Sequence, residues 1–489
     1  MEPDQQSEKS GWAEMIAIKT TPGSARWRLR LRERRTLLLL VDLLMAILAL
    51  FIAIYVWSAA DEYQSLTFTF IRRLPSWFFL LPFLWPFLMT RLYEEHRARD
   101  PKETLSSIVI SALIGLGLYM VFYFTYQTPK SLPRIGVAAF IVSVFILTLF
   151  WRLLYIRIFT APQFMRRVLL VGAGETGRIM IKIINQTKPR PYILVGVIDD
   201  DPQKIGKMID GCEVFGGSDK LLEAICNHQV SDLIVAISGQ MQGGMFQALL
   251  DAQEIGAEIV RMPVAYEELL HRVPVRYLEA EWILRSFVDK ARSETFSEML
   301  KRGLDIIGGL VGLLIFAIFF PFVSIVILLE SGTPIFYRQI RMGRGGQNYN
   351  IYKFRTMRQD AEANGQPQWA EENDKRATRV GLFLRKTHID EIPQFLNVVR
   401  GEMSLVGPRA ERPELVEFFQ KHVPFYRARL LVRPGMTGWA QVNQQYASTI
   451  DETIEKLEYD LYYIMHRSVL VDLRIIFQTP SLIFKLRGR

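Results

Sequence analysis

Apolar positions crowd into long unbroken runs near the N-terminus and then thin into the short alternating runs of globular sequence. Four of the long runs, residues 36–59, 75–92, 105–126 and 136–158, approach the roughly 20 residues a helix needs to cross a hydrocarbon core about 30 Å thick. They predict four transmembrane helices within 36–160. Pro82 and Pro86 interrupt the second run, which a bilayer helix tolerates better than a soluble one. Asp42 in the first is costly in lipid and is expected against another helix or at the interface. A fifth run, 306–329, stands alone far along the chain with Pro321 inside it. A proline there is compatible with a kinked span, but also with a helix that breaks, turns and leaves by the face it entered; the second reading is taken, over 296–330.

Between these runs the pattern is soluble. Short apolar runs at 168–171, 193–198 and 233–237 alternate with helical periodicity and predict a small doubly wound, Rossmann-like α/β domain over 161–290. Residues 331–489 read as α+β. Their last stretch, 457–486, sets apolar residues among Arg467, Arg474 and Lys485, which suits a helix on a membrane surface or one packed in a core. No repeat or low-complexity segment appears.

Charge orients the helices. The formal net charge is +9, and the basic residues gather before the first run (Arg26 to Arg35, in a leader over 1–35), between the second and third (Arg91, Arg97, Arg99, Lys102) and after the fourth (Arg152, Arg157, Arg166, Arg167). By the positive-inside bias both termini of the bundle face the cytoplasm, and the chain is expected in a membrane as an uncleaved, multi-pass anchor. The basic excess has no compact motif of the kind that binds nucleic acid, so no nucleic-acid partner is expected. Two cysteines, Cys212 and Cys226, without CxxC or a histidine cluster, give neither a disulfide framework nor a structural zinc site.

Two segments bear chemistry. In the α/β domain, Gly172, Gly174 and Gly177 follow a strand and open a helix, and Asp199 closes the next strand, as in a dinucleotide-binding turn. A bound nucleotide is one reading; a glycine turn kept for the fold alone is the other. Tyr-x-x-x-Lys pairs that would serve a nicotinamide occur only at Tyr126/Lys130 and Tyr349/Lys353, both outside this domain.

The second segment runs from Leu384 to Gly401. Pro393 suits a first helical turn and Gly401 a helix end, which puts Asp390 and Glu391 at a helix N-terminus. Carboxylates there often cap free N–H groups. The setting favours more than capping: Arg385 precedes the pair, and Lys353-Phe-Arg355-Thr-Met357, Ser404-Leu-Val-Gly-Pro-Arg409 and Arg433-Pro-Gly-Met-Thr-Gly438 supply further basic side chains. Such a gathering suggests a phosphate site with one carboxylate as nucleophile and the second, Glu391, available to Mg²⁺.

These motifs, with Lys301-Arg302-x-x-Asp305, occur in the order found in the monotopic polyprenyl-phosphate sugar phosphotransferases of bacterial exopolysaccharide, capsule and O-antigen synthesis, and the chain resembles the large-form members of that family. The resemblance implies transfer of a hexose 1-phosphate from a UDP-sugar, UDP-glucose or UDP-galactose, to undecaprenyl phosphate with release of UMP. It implies Asp390 as nucleophile in a ping-pong reaction, Glu391 at Mg²⁺ or in proton transfer, and Lys353, Arg355, Arg385, Arg409 and Arg433 on phosphates. Lys301, Arg302 and Asp305 would stand at the mouth of a re-entrant anchor bent at Pro321, on the cytoplasmic face, and a homo-oligomer is compatible with it. The chain departs from the family at Phe320, where serine is frequent, and at Ala410, where proline is usual. Competing expectations are a membrane-anchored NAD-dependent nucleotide-sugar oxidoreductase or epimerase, and a nucleotide-binding sensor.

Overall fold

The structure is a computed structural model, and it describes residues 31–60, 68–93, 98, 100–125, 134–159, 165–188, 190–278, 295–357, 376–444 and 449–479. Most of the basic leader, the Tyr126/Lys130 pair and Lys485 lie outside them. The chain forms two compact units that divide between Met262 and Pro263.

In the first unit three long apolar helices are α1 (Leu31–Ala60), α4 (Pro101–Thr125) and α5 (Arg134–Phe159). With the later helix α10 they are the four helices long and apolar enough to cross a membrane among the described residues. The second predicted span is not one of them. After a short helix α2 (Phe68–Arg73), the stretch 75–92 is divided into 3₁₀ turns at Ser76–Leu80 and Thr90–Tyr93 around an eight-residue helix, α3 (Leu81–Leu88). Pro82 sits in its first turn, where proline costs little, and Pro86 sits inside it, where the missing N–H and the ring bulk limit the length of regular helix. Trp85 Nε1 donates to Thr148 Oγ1 and fixes this short element to α5.

A buried ion pair joins α1 and α5. Arg152 Nη2 is 2.5 Å from Asp42 Oδ2, and both side chains are wholly buried. Arg152 also donates to the Leu92 carbonyl at 3.0 Å and stacks over the Tyr93 ring. Asp42 is therefore paired across helices, which relieves its cost in an apolar surround.

The α/β part of this unit is a sheet in the order β3-β4-β2-β1-β5-β6. β1 (Arg166–Val171) pairs in parallel with β2 (Tyr192–Ile198) on one side and β5 (Asp232–Val235) on the other. β6 (Glu258–Arg261) extends the parallel set beyond β5, and β4 (Cys212–Gly216) extends it beyond β2, with the short β3 (Met208–Ile209) antiparallel at the edge. Val168 to Val171 are fully buried, as expected of a strand covered on both faces. The covering helices are α6 (Glu175–Gln186), α7 (Leu221–His228) and α8 (Gly243–Glu254).

The second unit opens with α9 (Met262–Leu270) and a strap to Leu278, whose Val273 and Val275 enter its core beside Trp439, Leu457 and Leu461. Then comes α10 (Thr295–Ser331), 37 residues of unbroken helix through Pro321. The break expected there is absent. Packing on both sides of the proline holds the helix: Phe316 and Phe320 lie among Phe336 and Phe354, and Val323 and Ile327 are buried beyond it. A hairpin of β7 (Phe336–Met342) and β8 (Asn348–Phe354) follows, then α11 (Arg379–Lys386), α12 (Phe395–Arg400), β9 (Ser404–Val406), α13 (Pro413–His422), β10 (Gly435–Thr437), α14 (Trp439–Asn443), α15 (Ile450–His466) and α16 (Val469–Gln478). α15, begun by a Thr449/Glu452 capping box, is a core helix, whereas α16 exposes Leu470 and Phe477 seven residues apart on one side. Core packing thus accounts for α15, while α16 leaves apolar side chains exposed.

Cutting Asp42 to alanine strands the Arg152 guanidinium in an apolar surround, a loss of about 3–5 kcal/mol for a buried pair broken on one side. Thermal melting in detergent should fall by several degrees for Asp42→Ala and recover in part for D42A combined with R152M. A single variant that melts with the wild type would contradict this account of the pair.

Candidate active site

Three backbone segments converge on the Asp390/Glu391 pair. α11 starts at Thr378, whose hydroxyl accepts from Gly381 N, and ends at Thr387. His388 then takes a left-handed conformation, φ 56°, and turns the chain sharply into a 3₁₀ helix, Ile389–Gln394. Asp390 and Glu391 occupy its first turn, close to the helix start expected for them. They do not act as caps: no side-chain cap bond is made there. Gly381 is fixed by sterics, because a Cβ would lie 2.0 Å from the Thr356 carbonyl oxygen.

Glu391 is locked by two cations. Lys353 Nζ, from β8, donates to Oε1 at 2.7 Å, and Arg409 Nη2 donates to the same oxygen at 2.5 Å. Arg409 Nη1 reaches Oε2 at 3.4 Å. Burial alone would raise this carboxyl, but Arg409 and Lys353 outweigh it and hold it well below the usual range. Asp390 has the opposite environment. It is 7% exposed, and its carboxylate receives no hydrogen bond from the described residues. Burial pushes it up to about 6, against the pull of Lys353 and with the support of the Glu391 charge. One carboxylate is thus pinned and the other is ionised at neutral pH with its lone pairs free. That division of roles fits a nucleophile beside a fixed charge organiser.

Arg409 is aimed by a crossing of two loops. β9 and β10 pair in parallel, and Ser404 N, Gly407 N and Gly435 N donate to Pro434, Thr437 and Pro408 carbonyls. The glycines of both motifs make this approach possible: a Cβ on Gly435 would lie 2.1 Å from Gly407 N, and one on Gly438 2.3 Å from Gly407 O. Beyond the crossing, buried Arg429 donates to the Arg409 carbonyl at 3.0 Å and to Asp460 at 2.8 Å. Arg341 donates to the Ala410 carbonyl at 3.1 Å, and Met342 N to that of Glu411. Burial opposes ionisation of Glu411, yet Lys456 and Arg429 carry its carboxyl down to about 2. This network supplies the rigidity that Ala410, in place of proline, does not. Arg429 and Arg341 escape a sequence reading because isolated arginines outside the motifs look like surface residues.

The other basic residues divide. Arg385 donates from Nε to Thr356 Oγ1 and lies close enough to lower Asp390, which leaves its outer nitrogens available to a phosphate. Arg355 is buried, and its Nη2 donates to the carbonyls of Ser331 and Gly332 at 2.5 Å each, while Nε and Nη1 meet no partner among the described residues. It closes a helix C-terminus and does not face the pair. Arg433 makes no side-chain hydrogen bond or ion pair with described residues; its carbonyl packs on Gly407. His388, unmarked by the sequence, has its imidazole held below the ordinary value by burial, so it is neutral beside the pair. Tyr349 and Lys353 lie on strand β8, and Lys353 is taken by Glu391.

The motif at the head of α10 ties that helix to the site. Asp305 Oδ1 accepts from Ser404 Oγ and Leu405 N at 2.9 Å each, Lys301 pairs with Asp472 at 2.6 Å, and Arg302 donates to the carbonyls of Val398 and Val399. At the other end, Glu330 accepts from the N–H groups of Arg379 and Val380 that open α11. In the α/β part, Gly172 (φ 108°) turns the chain and Gly177 meets the Gly172 carbonyl so closely that only glycine fits. Asp199 is used within that unit: it accepts from Ala173 N at 2.6 Å and from Lys204 Nζ at 3.3 Å.

A buried carboxylate pair ringed by lysine and arginine, on a unit with a long apolar helix, is an arrangement suited to phosphate chemistry. Residues 296–486 match the bacterial sugar transferase family, and residues 89–263 match a CoA-binding domain family. The UDP-N-acetylgalactosamine-undecaprenyl-phosphate N-acetylgalactosaminephosphotransferase of Aeromonas hydrophila is 44% identical over 37% of this chain and 42% of its own length. The undecaprenyl-phosphate glucose phosphotransferase of Komagataeibacter xylinus is 30% identical over 64% of this chain and 58% of its own. The UDP-glucose:undecaprenyl-phosphate glucose-1-phosphate transferase of Caulobacter vibrioides is 40% identical over 38% of this chain and 70% of its own. The matched regions thus span about half the length of the first two relatives. The chain belongs to the bacterial sugar transferase family.

Replacing Arg429 by methionine leaves Asp460 and Glu411 buried with one cation fewer, at a cost of about 3–5 kcal/mol. Melting of the purified protein should drop by several degrees. A curve within one degree of wild type would show that Arg429 does not hold this loop.

Proposed function

We propose that the protein transfers a hexose 1-phosphate from a UDP-sugar to undecaprenyl phosphate and releases UMP, the initiating step of an exopolysaccharide, capsule or O-antigen. The observation that carries this reading is the buried Asp390 carboxylate, without a hydrogen-bond partner among the described residues, beside the locked Glu391. An Asp390 oxygen attacks the sugar-bearing phosphorus; the new O–P bond forms as the bond to UMP breaks, and the electron pair leaves on the UMP phosphate. An oxygen of undecaprenyl phosphate then attacks the same phosphorus, which makes the pyrophosphate link and returns the carboxylate. Arg385 and Arg409 hold phosphate oxygens through both steps, where charge-assisted hydrogen bonds are strongest. Hexose choice lies between glucose, galactose and, by the names of the relatives, N-acetylgalactosamine.

Magnesium fits this proposal at Asp390, whose carboxylate oxygens are unpartnered, better than at Glu391, whose oxygens face Lys353 and Arg409. When bound it supplies neutralisation of phosphate charge. Chelation by EDTA should abolish UMP release and added Mg²⁺ restore it; turnover unaffected by EDTA would remove the metal from the proposal.

The same proposal gives α10 a re-entrant path with the second unit on the cytoplasmic face. Asp305 bonds to Ser404 and Glu330 to the start of α11, so two points along the helix are held by one small domain, which supports a path that stays on one side of the bilayer. A nucleotide in the α/β part is a further expectation; it would approach at Gly174, where the surroundings are open, and absence of UDP binding at millimolar concentration would exclude that nucleotide there.

Asp390→Asn should lower UMP release from UDP-glucose, UDP-galactose and UDP-N-acetylgalactosamine by on the order of a thousandfold or more. Full activity in D390N sinks the reading. Attack requires the ionised form, so with Asp390 at about 6 kcat/KM should be flat above that pH and fall about tenfold per unit below it. A profile flat down to pH 5 would contradict the assignment.

A further inference from the structure

Several arginines of the second unit meet an acid: Arg409 pairs with Glu391, Arg429 with Asp460, Arg341 with Glu411, and Arg344 and Arg467 with Glu298. Arg338 and Arg400 do not. Among the described residues neither has a carboxylate partner, both are exposed, and both lie over one aromatic ring, that of Tyr352, at 5.4 and 5.6 Å from its centroid. Arg400 also donates to the Tyr352 hydroxyl at 3.2 Å. Arg338 and Tyr352 are cross-strand partners in the β7–β8 hairpin. The neighbouring partners Tyr337 and Lys353 point to the opposite face, where Lys353 binds Glu391, because side chains alternate along a strand. The ring and its two guanidiniums therefore form a separate feature behind the reacting site.

Two unneutralised like charges held on one ring repel each other and favour an anion between or beside them. Their position along α10 names the anion. Arg400 follows Val398 and Val399, whose carbonyls bind Arg302, and a Cβ on Gly309 would lie 2.8 Å from the Val399 side chain. On α10, Lys301 and Asp305 are bonded into the domain, whereas Ile307, Leu310, Val311 and Leu314 are each more than half exposed. The polar-to-apolar boundary of that helix thus falls at the level of Arg400, where phospholipid headgroups lie against a membrane-inserted helix.

We propose that Arg338, Tyr352 and Arg400 bind the phosphate of an anionic membrane phospholipid. The inference rests on α10 as the membrane-inserted helix of this unit. The guanidinium forks take the phosphodiester oxygens, and Tyr352 sets their spacing with its ring at the interface. Such a site would seat the catalytic unit at a fixed depth and respond to the anionic content of the bilayer.

The test uses the full chain in nanodiscs of phosphatidylcholine and phosphatidylglycerol in equal parts, with retained lipid counted by native mass spectrometry after release. Wild type should keep phosphatidylglycerol that R338Q/R400Q loses, with affinity for it reduced about tenfold or more in the variant. Equal retention by both overturns the proposal. Should the double variant melt early, Arg338→Gln alone, exposed on the hairpin, should still show a severalfold loss. A photo-crosslinking residue at position 310 separates the premises: crosslinks to lipid with equal retention defeat the headgroup site alone, while no crosslink defeats it together with the inserted α10.

Discussion

The site depends on one ion triad, Lys353–Glu391–Arg409. Adjacent carboxylates in a buried turn repel, and without cations one of them would take up a proton at neutral pH. Two cations fix the second carboxylate and leave the first free of bonds. The two carboxylates differ: both Glu391 oxygens face positive charge, whereas the Asp390 carboxylate accepts no hydrogen bond from the described residues.

That triad draws one member from a hairpin, one from a 3₁₀ turn and one from a loop crossing, so its precision rests on how those are joined. The glycine contacts between the 404–409 and 433–438 segments allow main chains to touch, and Arg429 and Arg341 hold the carbonyls that follow. The same β9 segment is bonded to α10 through Asp305, and Arg355 closes the far end of that helix. The long apolar helix and the loop that aims Arg409 are therefore joined by direct hydrogen bonds.

Much of this was legible in the chain. Asp390 and Glu391 stood out because adjacent carboxylates framed by several basic motifs suit phosphate chemistry better than simple capping, and the parallel sheet followed from buried runs and a glycine turn. Other features could not be read. Arg355 and Arg409 look alike in sequence, yet one closes a helix and the other meets Glu391, a difference set by tertiary position. Pro321 signals a break only where packing does not hold the helix, and Phe316, Phe320, Phe336 and Phe354 do hold it. The stretch 75–92 is apolar enough to span, but its two prolines divide it into turns. Arg429 and Glu411 carried no signal because a buried ionic network is formed by residues brought together only by folding.

The most direct measurement is chemical location of the transferred group. The protein is incubated with the nucleotide sugar it uses, without lipid acceptor, and treated with borohydride, which reduces an aspartyl phosphate to homoserine; the peptide spanning residues 387–400 is then sequenced by mass spectrometry. The account predicts homoserine at position 390 and an unchanged Glu391. Reduction at position 391, or an unmodified peptide although UMP has been released, would contradict it.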